Sequence, residues 1–194
     1  MSTRGVADRV ALRPATAADV ALLEAWDDQV HVIRATTDNP AASQAFDGIS
    51  WPDEIAMQSD VFRHFIVEAD GRAIGAMLII DPHNEPTHYW GRVEPNLRAV
   101  DIWIGEADAL GKGYGTRAME IALGMCFADP AVNAVLVDPL ASNTRAHRFY
   151  QRAGFIPLDR RLLPENDDCL VHIITRHGWR GPNPTFVLKS KDTP

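Results

Sequence analysis

An aspartate inside an apolar segment is the residue of this sequence best placed to do chemistry. Asp101 stands in the run Val-Asp-Ile-Trp-Ile, where the alternation of a β-strand puts it on one face with Trp103, opposite Val100, Ile102 and Ile104. Aspartate is rare in strands and destabilising in a core unless it is paired. The residue is therefore either salt-bridged or edge-exposed, or it is a base. A carboxylate beside an amine whose pKa is about 10.4 can hold the ammonium ion and accept its proton.

A glycine-rich loop follows this strand and opens directly into a predicted helix. Its sequence is Leu-Gly-Lys-Gly-Tyr-Gly-Thr over 110–116. Glycines let backbone N–H groups converge on an anion where a helix N-terminus favours negative charge. The loop lacks the terminal Lys-Ser/Thr of a P-loop and the full G-x-G-x-x-G spacing of a dinucleotide fold. By itself it indicates either an ordinary turn or a diphosphate cradle in which Lys112 adds a cation.

A third segment combines an acid, an amide and a tyrosine downstream of a short apolar strand. Asp138 precedes a proline, and Asn143 and Tyr150 are seven residues apart, which places them on one face of a helix. Each also has an ordinary explanation: Asp138 ends a strand at a turn, Asn143 caps the helix, and Tyr150 packs on the core. Tyrosine has a pKa of about 10 and a thiol about 8.5, so a tyrosine hydroxyl can protonate a nearby thiolate.

Together the glycine loop and the downstream segment resemble the GNAT superfamily of acyl-CoA-dependent N-acyltransferases, over roughly residues 10–175. The most specific part is Asn-x-x-Ala-x-x-x-Tyr-x-x-x-Gly-Phe, which begins at Asn143. Within that superfamily the chain looks most like the aminoglycoside 6′-N-acetyltransferases and the related siderophore-type acetyltransferases. These share an aspartate in the central strand, the Leu-Gly-Lys-Gly-x-Gly-Thr loop, and Asp-Pro-x-x-Ser-Asn after the next strand. Leu110 replaces the Gln or Arg that usually opens the loop, as it does in the aminoglycoside-like members.

The resemblance implies a binding site for acetyl-CoA. Backbone N–H groups of the loop would bind the pyrophosphate of CoA, Asn143 would touch the pantetheine arm, and strand N–H groups would polarise the thioester carbonyl. One arginine of the Asn143 helix is expected to pair with the 3′-phosphate, and Arg148 is our assignment; a solvated charged face is the alternative. The predicted CoA-binding residues are Ile102, Trp103, Ile104, Leu110, Gly111, Lys112, Gly113, Tyr114, Gly115, Thr116, Asn143 and Arg148.

The resemblance also implies a reaction, direct transfer of an acetyl group to a primary amine in a ternary complex. Asp101 matches the general base of the aminoglycoside enzymes, and Tyr150 would protonate the departing thiolate. The predicted acceptor-binding residues are Trp90, Trp103 and Asp138, and the expected acceptor is an aminoglycoside-like or polyamine-like cation. Trp103 is equally explained by core packing, and Trp90, with Tyr89, by a plug that anchors a loop. The alternatives are acylation of a hydroxylysine-type siderophore precursor, acetylation of a protein N-terminus, and a CoA-binding sensor without catalysis.

The remaining sequence predicts alternating strands and helices, an α/β or α+β sheet covered by helices. The turn Asp70-Gly71 predicts a hairpin, and residues 31–50 predict a loop or short irregular helices. Predicted strands are 10–13, 62–69, 72–81, 99–105, 134–137, 155–158, 169–175 and 186–189, and predicted helices follow Thr16, begin at Trp51, and span 115–129 and 142–153. The resemblance adds a mostly antiparallel sheet of six to seven strands, about four flanking helices, and a splay between the central strand and the next.

Composition narrows the classes of partner. The net charge of −7 and pI of about 5.4 disfavour nucleic acid and anionic membranes and suit a small cationic substrate. The two cysteines, Cys126 and Cys169, predict buried reduced thiols rather than a disulfide. No metal-ligand motif is present in the sequence, and its longest apolar run, 73–80, is too short to span a bilayer. We therefore expect a cytoplasmic protein, monomeric or homodimeric, with a flexible N-terminus over 1–9 and one acyltransferase domain over 10–190.

Overall fold

The structure, a computed structural model, describes residues 10–164 and 168–181. The predicted flexible segment 1–9 and the predicted strand 186–189 lie outside the described residues. The elements are β1 (Val10–Pro14), α1 (Val20–Asp27), α2 (Val30–Thr36), α3 (Trp51–Ala56), β2 (Phe62–Ala69), β3 (Arg72–Ile80), β4 (Leu97–Ile104), α4 (Tyr114–Ala128), β5 (Ala134–Val137), α5 (Thr144–Arg152), β6 (Ile156–Leu162) and β7 (Asp168–Thr175).

The seven described strands form one sheet in the order β1-β2-β3-β4-β5-β7-β6. Every neighbouring pair is antiparallel except β4 and β5, which run parallel. The described residues contain five α-helices, and the mixed, mostly antiparallel fold predicted from the sequence is confirmed. The helix beyond the predicted four is α2, which lies in the stretch predicted to be a loop or short irregular helices.

The sheet opens between its central strand β4 and its neighbour β5. Their pairing covers only three positions, from Leu97 opposite Ala134 to Ala99 opposite Leu136. Beyond Ala99, β4 continues to Ile104 with β3 as its only paired strand in the described part of the chain. The predicted splay is therefore confirmed, and the remainder of β4 faces a gap instead of a strand.

The two faces of β4 pack against different helices, as the alternation of the sequence predicts. Val100, Ile102 and Ile104 join a hydrophobic cluster that includes much of α4 and also Tyr150. Trp103 belongs to a second cluster with residues of α1, α2 and α3. Asp101 and Tyr150 therefore belong to opposite sides of the sheet, and the gap beside β4 is an opening that connects the two sides.

Two strand boundaries differ from the sequence prediction by two residues or more. β4 begins at Leu97 rather than at residue 99. β6 runs to Leu162, four residues beyond the predicted end, and its added part contains Asp159, Arg160 and Arg161. An edge strand tolerates charged residues because one side faces water, and Arg160 donates from Nε to Asp168 on β7 at 2.7 Å. The predicted hairpin between β2 and β3 is confirmed, with Asp70 and Gly71 both at positive φ.

Candidate active site

The gap beside β4 widens into a cleft of about 1260 Å³. Its walls are the end of β4, the residues after β5, α2, the glycine loop, α5, and loops from the segments 37–50 and 81–96. Most of the residues predicted to act in binding or catalysis line it: Trp90, Asp101, Ile102, Trp103, Ile104, Leu110, Gly111, Gly113, Tyr114, Gly115, Thr116, Asp138, Asn143 and Tyr150. Two predicted residues, Lys112 and Arg148, are not among the residues that form its walls.

Two carboxylates, Asp101 and Asp138, face the same part of the cleft. Burial raises the pKa of Asp101 above its usual range, and the nearby negative charge of Asp138 raises it further. The hydroxyl of Tyr89 donates a hydrogen bond to Oδ2 of Asp138 at 3.0 Å. A buried carboxyl whose proton affinity lies closer to that of an amine is suited to accept a proton at neutral pH.

Tyr150 is fixed by aromatic neighbours beneath the cleft. It is 7% exposed, and its ring lies 5.0 Å from Phe149, 5.6 Å from Phe155 and 6.3 Å from His172, centroid to centroid. Burial raises the pKa of its hydroxyl, and the charges of Asp101 and Asp138 raise it again. The phenol therefore keeps its proton at physiological pH and is available as a proton donor.

The glycine loop has the conformation of an anion cradle. Gly111 and Gly113 have φ of 74° and 84°, in the left-handed region that glycine adopts without strain. Gly113 is the N-cap of α4, and neither a side-chain cap nor a first-turn acid occupies that helix end. The position of a Cβ on Gly111 has no atom within 4 Å. Backbone N–H groups at the start of a fifteen-residue helix are therefore open to an anion such as a diphosphate.

Asn143 caps α5, as the structural interpretation of this residue predicts. Its Oδ1 accepts from the backbone N–H of Ala146 at 3.0 Å. Its Nδ2 donates to the carbonyl of Ala35 at 3.3 Å, and the neighbouring Ser142 hydroxyl donates to Asp38 at 2.7 Å. The side chain thus joins α5 to the end of α2 at the rim of the cleft. Its contact with pantetheine stays a prediction.

The arginines of α5 are placed differently from the sequence assignment. Arg148 is exposed and lies outside the cleft, whereas Arg145 and Arg152 line it. The three residues stand at i, i+3 and i+7 and therefore share one face of the helix, and the docking of that helix against the sheet decides which of them reach the cleft. We therefore transfer the predicted phosphate contact from Arg148 to Arg145 or Arg152.

The tryptophans predicted for the acceptor site are buried in the cleft wall. Trp90 is 4% exposed and stands edge-on to Tyr89 with ring centroids 5.9 Å apart. Trp103 lies 4.8 Å from Phe46 and 5.9 Å from Trp51 between ring centroids. The buried indole nitrogens of Trp90 and Trp103 have no hydrogen-bond partner within the described part of the protein. Both tryptophans therefore pack against neighbouring aromatic residues, as the alternative interpretation predicts, and also form part of the cleft wall.

Sequence reasoning missed several residues of the cleft. His31 on α2 donates from Nε2 to the carbonyl of Ile104 at 2.8 Å, and Asp28, Phe46 and Asp47 form part of the wall. These residues lie in or beside the 31–50 stretch, which has no periodic pattern to predict their orientation. The sequence predicts Tyr89 only as part of a plug that anchors a loop, because its bond to Asp138 spans 49 positions of sequence.

Other kinds of site receive no support from the described residues. Within 10–164 and 168–181, no group of three or more His, Cys, Asp or Glu side chains is placed to hold a metal ion. No helix of that part of the chain is long and apolar enough to cross a membrane. Cys126 and Cys169 are buried, and neither is in a disulfide bond within the described residues, as predicted.

Comparison with known proteins adds independent information. A family model described as an acetyltransferase (GNAT) domain matches residues 15–161. The chain is 30% identical over 151 residues to the aminoglycoside N(6′)-acetyltransferase type 1 of Klebsiella pneumoniae, covering 76% of this chain and 74% of that protein. It is 40% identical over 62 residues to a kanamycin resistance protein of Rhizobium radiobacter, covering 32% and 57% of the two chains.

Solved structures give the same result for the fold. The enzyme AAC(6′)-Ib, in complex with ribostamycin and coenzyme A, superposes with a TM-score of 0.75 at 25% identity, covering 88% of this chain and 96% of that one. The spermidine N-acetyltransferase of Vibrio cholerae, in complex with CoA and spermine, has a TM-score of 0.66 at 15% identity, covering 88% and 98%. At that identity the second similarity concerns the fold alone.

Proposed function

The chain belongs to the GNAT family and is an acetyl-CoA-dependent N-acetyltransferase, and from this premise we propose that its acceptor is a small cation with several amino groups. Aminoglycosides and polyamines are the two classes of this kind. The relatives are named for aminoglycosides and kanamycin, and AAC(6′)-Ib is in complex with ribostamycin. These names suggest the class, and the charge of the cleft supports it.

The observation that carries the proposal is the distribution of charge in the cleft. Of the described residues, the acids in its wall are four aspartates, Asp28, Asp47, Asp101 and Asp138, and the arginines are Arg34, Arg145 and Arg152. The arginines lie on α2 and α5, whose ends meet at the hydrogen bond between Asn143 and Ala35. An anionic donor and a polycationic acceptor are expected to occupy the basic and acidic parts respectively, because complementary charge orients each ligand.

Asp101 performs the first task, deprotonation of the amine. An ammonium group of pKa about 10.4 has no lone pair for attack, and a buried carboxylate attracts it and then accepts its proton. The raised pKa of Asp101 narrows the difference in proton affinity between the two groups. Asp138, held by Tyr89, supplies a second negative charge that attracts the cation.

The cleft wall performs the remaining tasks. Acetyl-CoA, when bound, supplies the acetyl group as a thioester. Backbone N–H groups near Ile102–Ile104, on the part of β4 that has no β5 partner, are placed to stabilise negative charge on the thioester oxygen. Asp101 keeps the first proton of the ammonium group. As the new N–C bond forms and the C–S bond breaks, Tyr150 gives its proton to the sulfur, and the second proton that the nitrogen loses on becoming an amide restores the tyrosine hydroxyl.

The residues present fit the donor. The glycine loop offers unobstructed N–H groups at the start of α4, with Gly111 and Gly113 at positive φ. Arg145 and Arg152 line the cleft on the adjacent helix, where a guanidinium group can pair with a phosphate. These groups would hold the phosphates of CoA and leave the acidic part of the cleft to the acceptor.

The test is release of free thiol from acetyl-CoA with a panel of amines. Kanamycin, ribostamycin and spermine represent the proposed classes, and hydroxylysine, an N-terminal peptide and a simple monoamine represent the alternatives. We expect turnover with the polyamino cations, with a KM that rises with salt because the attraction is screened.

A matched pair of variants tests the role of the acidic cleft. Asp47→Asn is expected to raise KM for the polyamine and to leave KM for acetyl-CoA unchanged. Asp53→Asn, an exposed aspartate on α3 outside the cleft wall, is the control. Preference for the monoamine or the peptide, or equal effects of the two variants, would exclude a polycationic acceptor.

A further inference from the structure

We propose that Glu85 is a positioning residue of the acceptor site, which holds the loop between β3 and β4 so that the Tyr89 hydroxyl stays on Asp138. The proposal rests on the proposed function in one respect, that Asp138 contacts the acceptor. Glu85 itself is not part of the cleft wall. It acts through hydrogen bonds to Thr87 and Tyr89 of the loop.

The burial of Glu85 is the first observation. The residue is 2% exposed, and a buried carboxylate destabilises a fold unless hydrogen bonds satisfy it. Among the described residues no Lys, Arg or His forms an ion pair with it. Its charge is compensated by the loop instead, because Oε2 accepts from the backbone N–H of Thr87 at 2.8 Å and from its hydroxyl at 2.6 Å.

The other carboxylate oxygen fixes Tyr89 directly. Oε1 of Glu85 accepts a hydrogen bond from the backbone N–H of Tyr89. The intervening His88 is at φ of 52°, a left-handed conformation that a residue with a side chain adopts only when its surroundings hold it there. Three donors from two residues therefore converge on one carboxylate, and the path of the chain from 85 to 89 is set by it.

The consequence appears at Asp138, on the far side of the gap. Tyr89 packs against the cluster of Leu140, Leu163 and Cys169 and donates to Asp138 at 3.0 Å. The loop comes from the β3–β4 side of the sheet, whereas Asp138 follows β5. Glu85 thus keeps a side chain from one half of the sheet in contact with a carboxylate of the other half, next to Asp101.

A purely structural role for Glu85 makes a different prediction from a positioning role. If the carboxylate only stabilises the loop, its loss lowers thermal stability and affects the two substrates equally. If it acts through Tyr89, its loss changes recognition of the acceptor and has no further effect once the Tyr89 hydroxyl is removed. A double-mutant cycle separates the two cases.

The experiment measures kcat/KM for the acceptor and KM for acetyl-CoA in Glu85→Gln, Tyr89→Phe and the double variant. The amine used is the best one from the thiol-release panel, whatever its class, so that a wrong assignment of the acceptor class does not affect this test. We expect each single variant to lower kcat/KM for the amine about 10-fold, the effect of one charged hydrogen bond. The double variant is expected to be no worse than the poorer single variant, with KM for acetyl-CoA unchanged throughout.

Glu94→Gln is the matched control, because Glu94 is an exposed residue of the same loop; it is expected to behave as wild type. Multiplicative losses in the double variant, or a fall in melting temperature without a change in kcat/KM for the amine, would overturn the proposal. If Glu85→Gln does not fold, Thr87→Val replaces it in the cycle, since that change removes only the hydroxyl bond to Oε2, and the same outcomes decide.

Discussion

Replacement of Gly111 by alanine separates backbone strain from ligand binding. Gly111 lines the cleft, has φ of 74°, and has no atom within 4 Å of the position that a Cβ would take. Gly71, in the β2–β3 turn away from the cleft, has nearly the same environment, with φ of 79° and no atom within 4 Å. The two substitutions therefore impose the same strain on the fold, and only Gly111→Ala adds a methyl group where the phosphates of CoA are proposed to lie.

The magnitudes follow from this comparison. An alanine in the left-handed region is strained by about 1–2 kcal/mol, which for a chain of this size lowers the melting temperature by about 2–8 °C. Both variants are expected to show this decrease. For Gly111→Ala, the methyl group or a relaxed φ also removes one charge-assisted N–H contact with the diphosphate, worth about 1.5–3 kcal/mol. The dissociation constant of CoA is then expected to rise about 10- to 150-fold.

The assay is calorimetric titration of CoA into both variants and the wild type, with melting curves recorded in the same buffer. Gly71→Ala is expected to bind CoA with wild-type affinity despite its lower melting temperature. Equal CoA affinities for the two alanine variants would show that the loop does not bind the diphosphate through its backbone, and the reasoning from the φ angles would be refuted.

Three further predictions concern the proposed catalytic groups and the core. Tyr150→Phe keeps the aromatic packing but removes the proton donor, so kcat is expected to fall about 10²- to 10⁴-fold with acetyl-CoA affinity unchanged; a wild-type kcat in steady-state assays would exclude this tyrosine as the acid. Asp138→Asn removes the charge that helps to raise the pKa of Asp101, so the acid limb of the profile of kcat/KM against pH, which rises as Asp101 loses its proton, is expected to move to lower pH; an unmoved limb would show that Asp138 does not act on the base. Burial raises the pKa of Asp27 to about 6, above its value in the unfolded chain, so ionisation of Asp27 destabilises the fold as pH rises through that range. The unfolding free energy of Asp27→Asn, measured relative to wild type in urea titrations, should therefore increase by up to about 3 kcal/mol between pH 4 and pH 7. A difference that stays constant with pH would contradict the raised pKa.

Features that depend on near neighbours in sequence were predictable. The alternation around Asp101 predicted which residues of β4 share a face, although it did not predict which helices cover each face. The turn at Asp70 and Gly71 predicted a hairpin, because two consecutive residues at positive φ match the twist of the strands. The splay beside β4 followed from the resemblance alone, since nothing in the short apolar run 134–137 indicates where its pairing with β4 stops.

Features that depend on how elements pack were not predictable. Helical spacing places Arg145, Arg148 and Arg152 on α5 but does not indicate which of them faces the cleft, because that depends on the docking of the helix. The α2 helix has seven residues, too few for a periodic apolar face to show in the sequence. It is held by Val32, which packs in the cluster of Trp103, and by the bond of His31 to β4. The hydrogen bond between Tyr89 and Asp138 joins two segments that are distant in sequence, and no pattern in either segment predicts that they come into contact.

The short pairing between β4 and β5, which covers three positions, has a consequence for local opening of the sheet. Among the described residues, the sheet consists of two blocks, β1–β4 and β5–β7–β6, joined in the ladder by only the pairs from Leu97–Ala134 to Ala99–Leu136. Elements that share few backbone hydrogen bonds open at lower free energy than the rest of a fold. Amide hydrogens along this line should therefore exchange with deuterium before those of β2 and β3, and bound CoA should slow that exchange. The cleft therefore lies along the β4–β5 pairing, across which local unfolding of the two blocks is least cooperative.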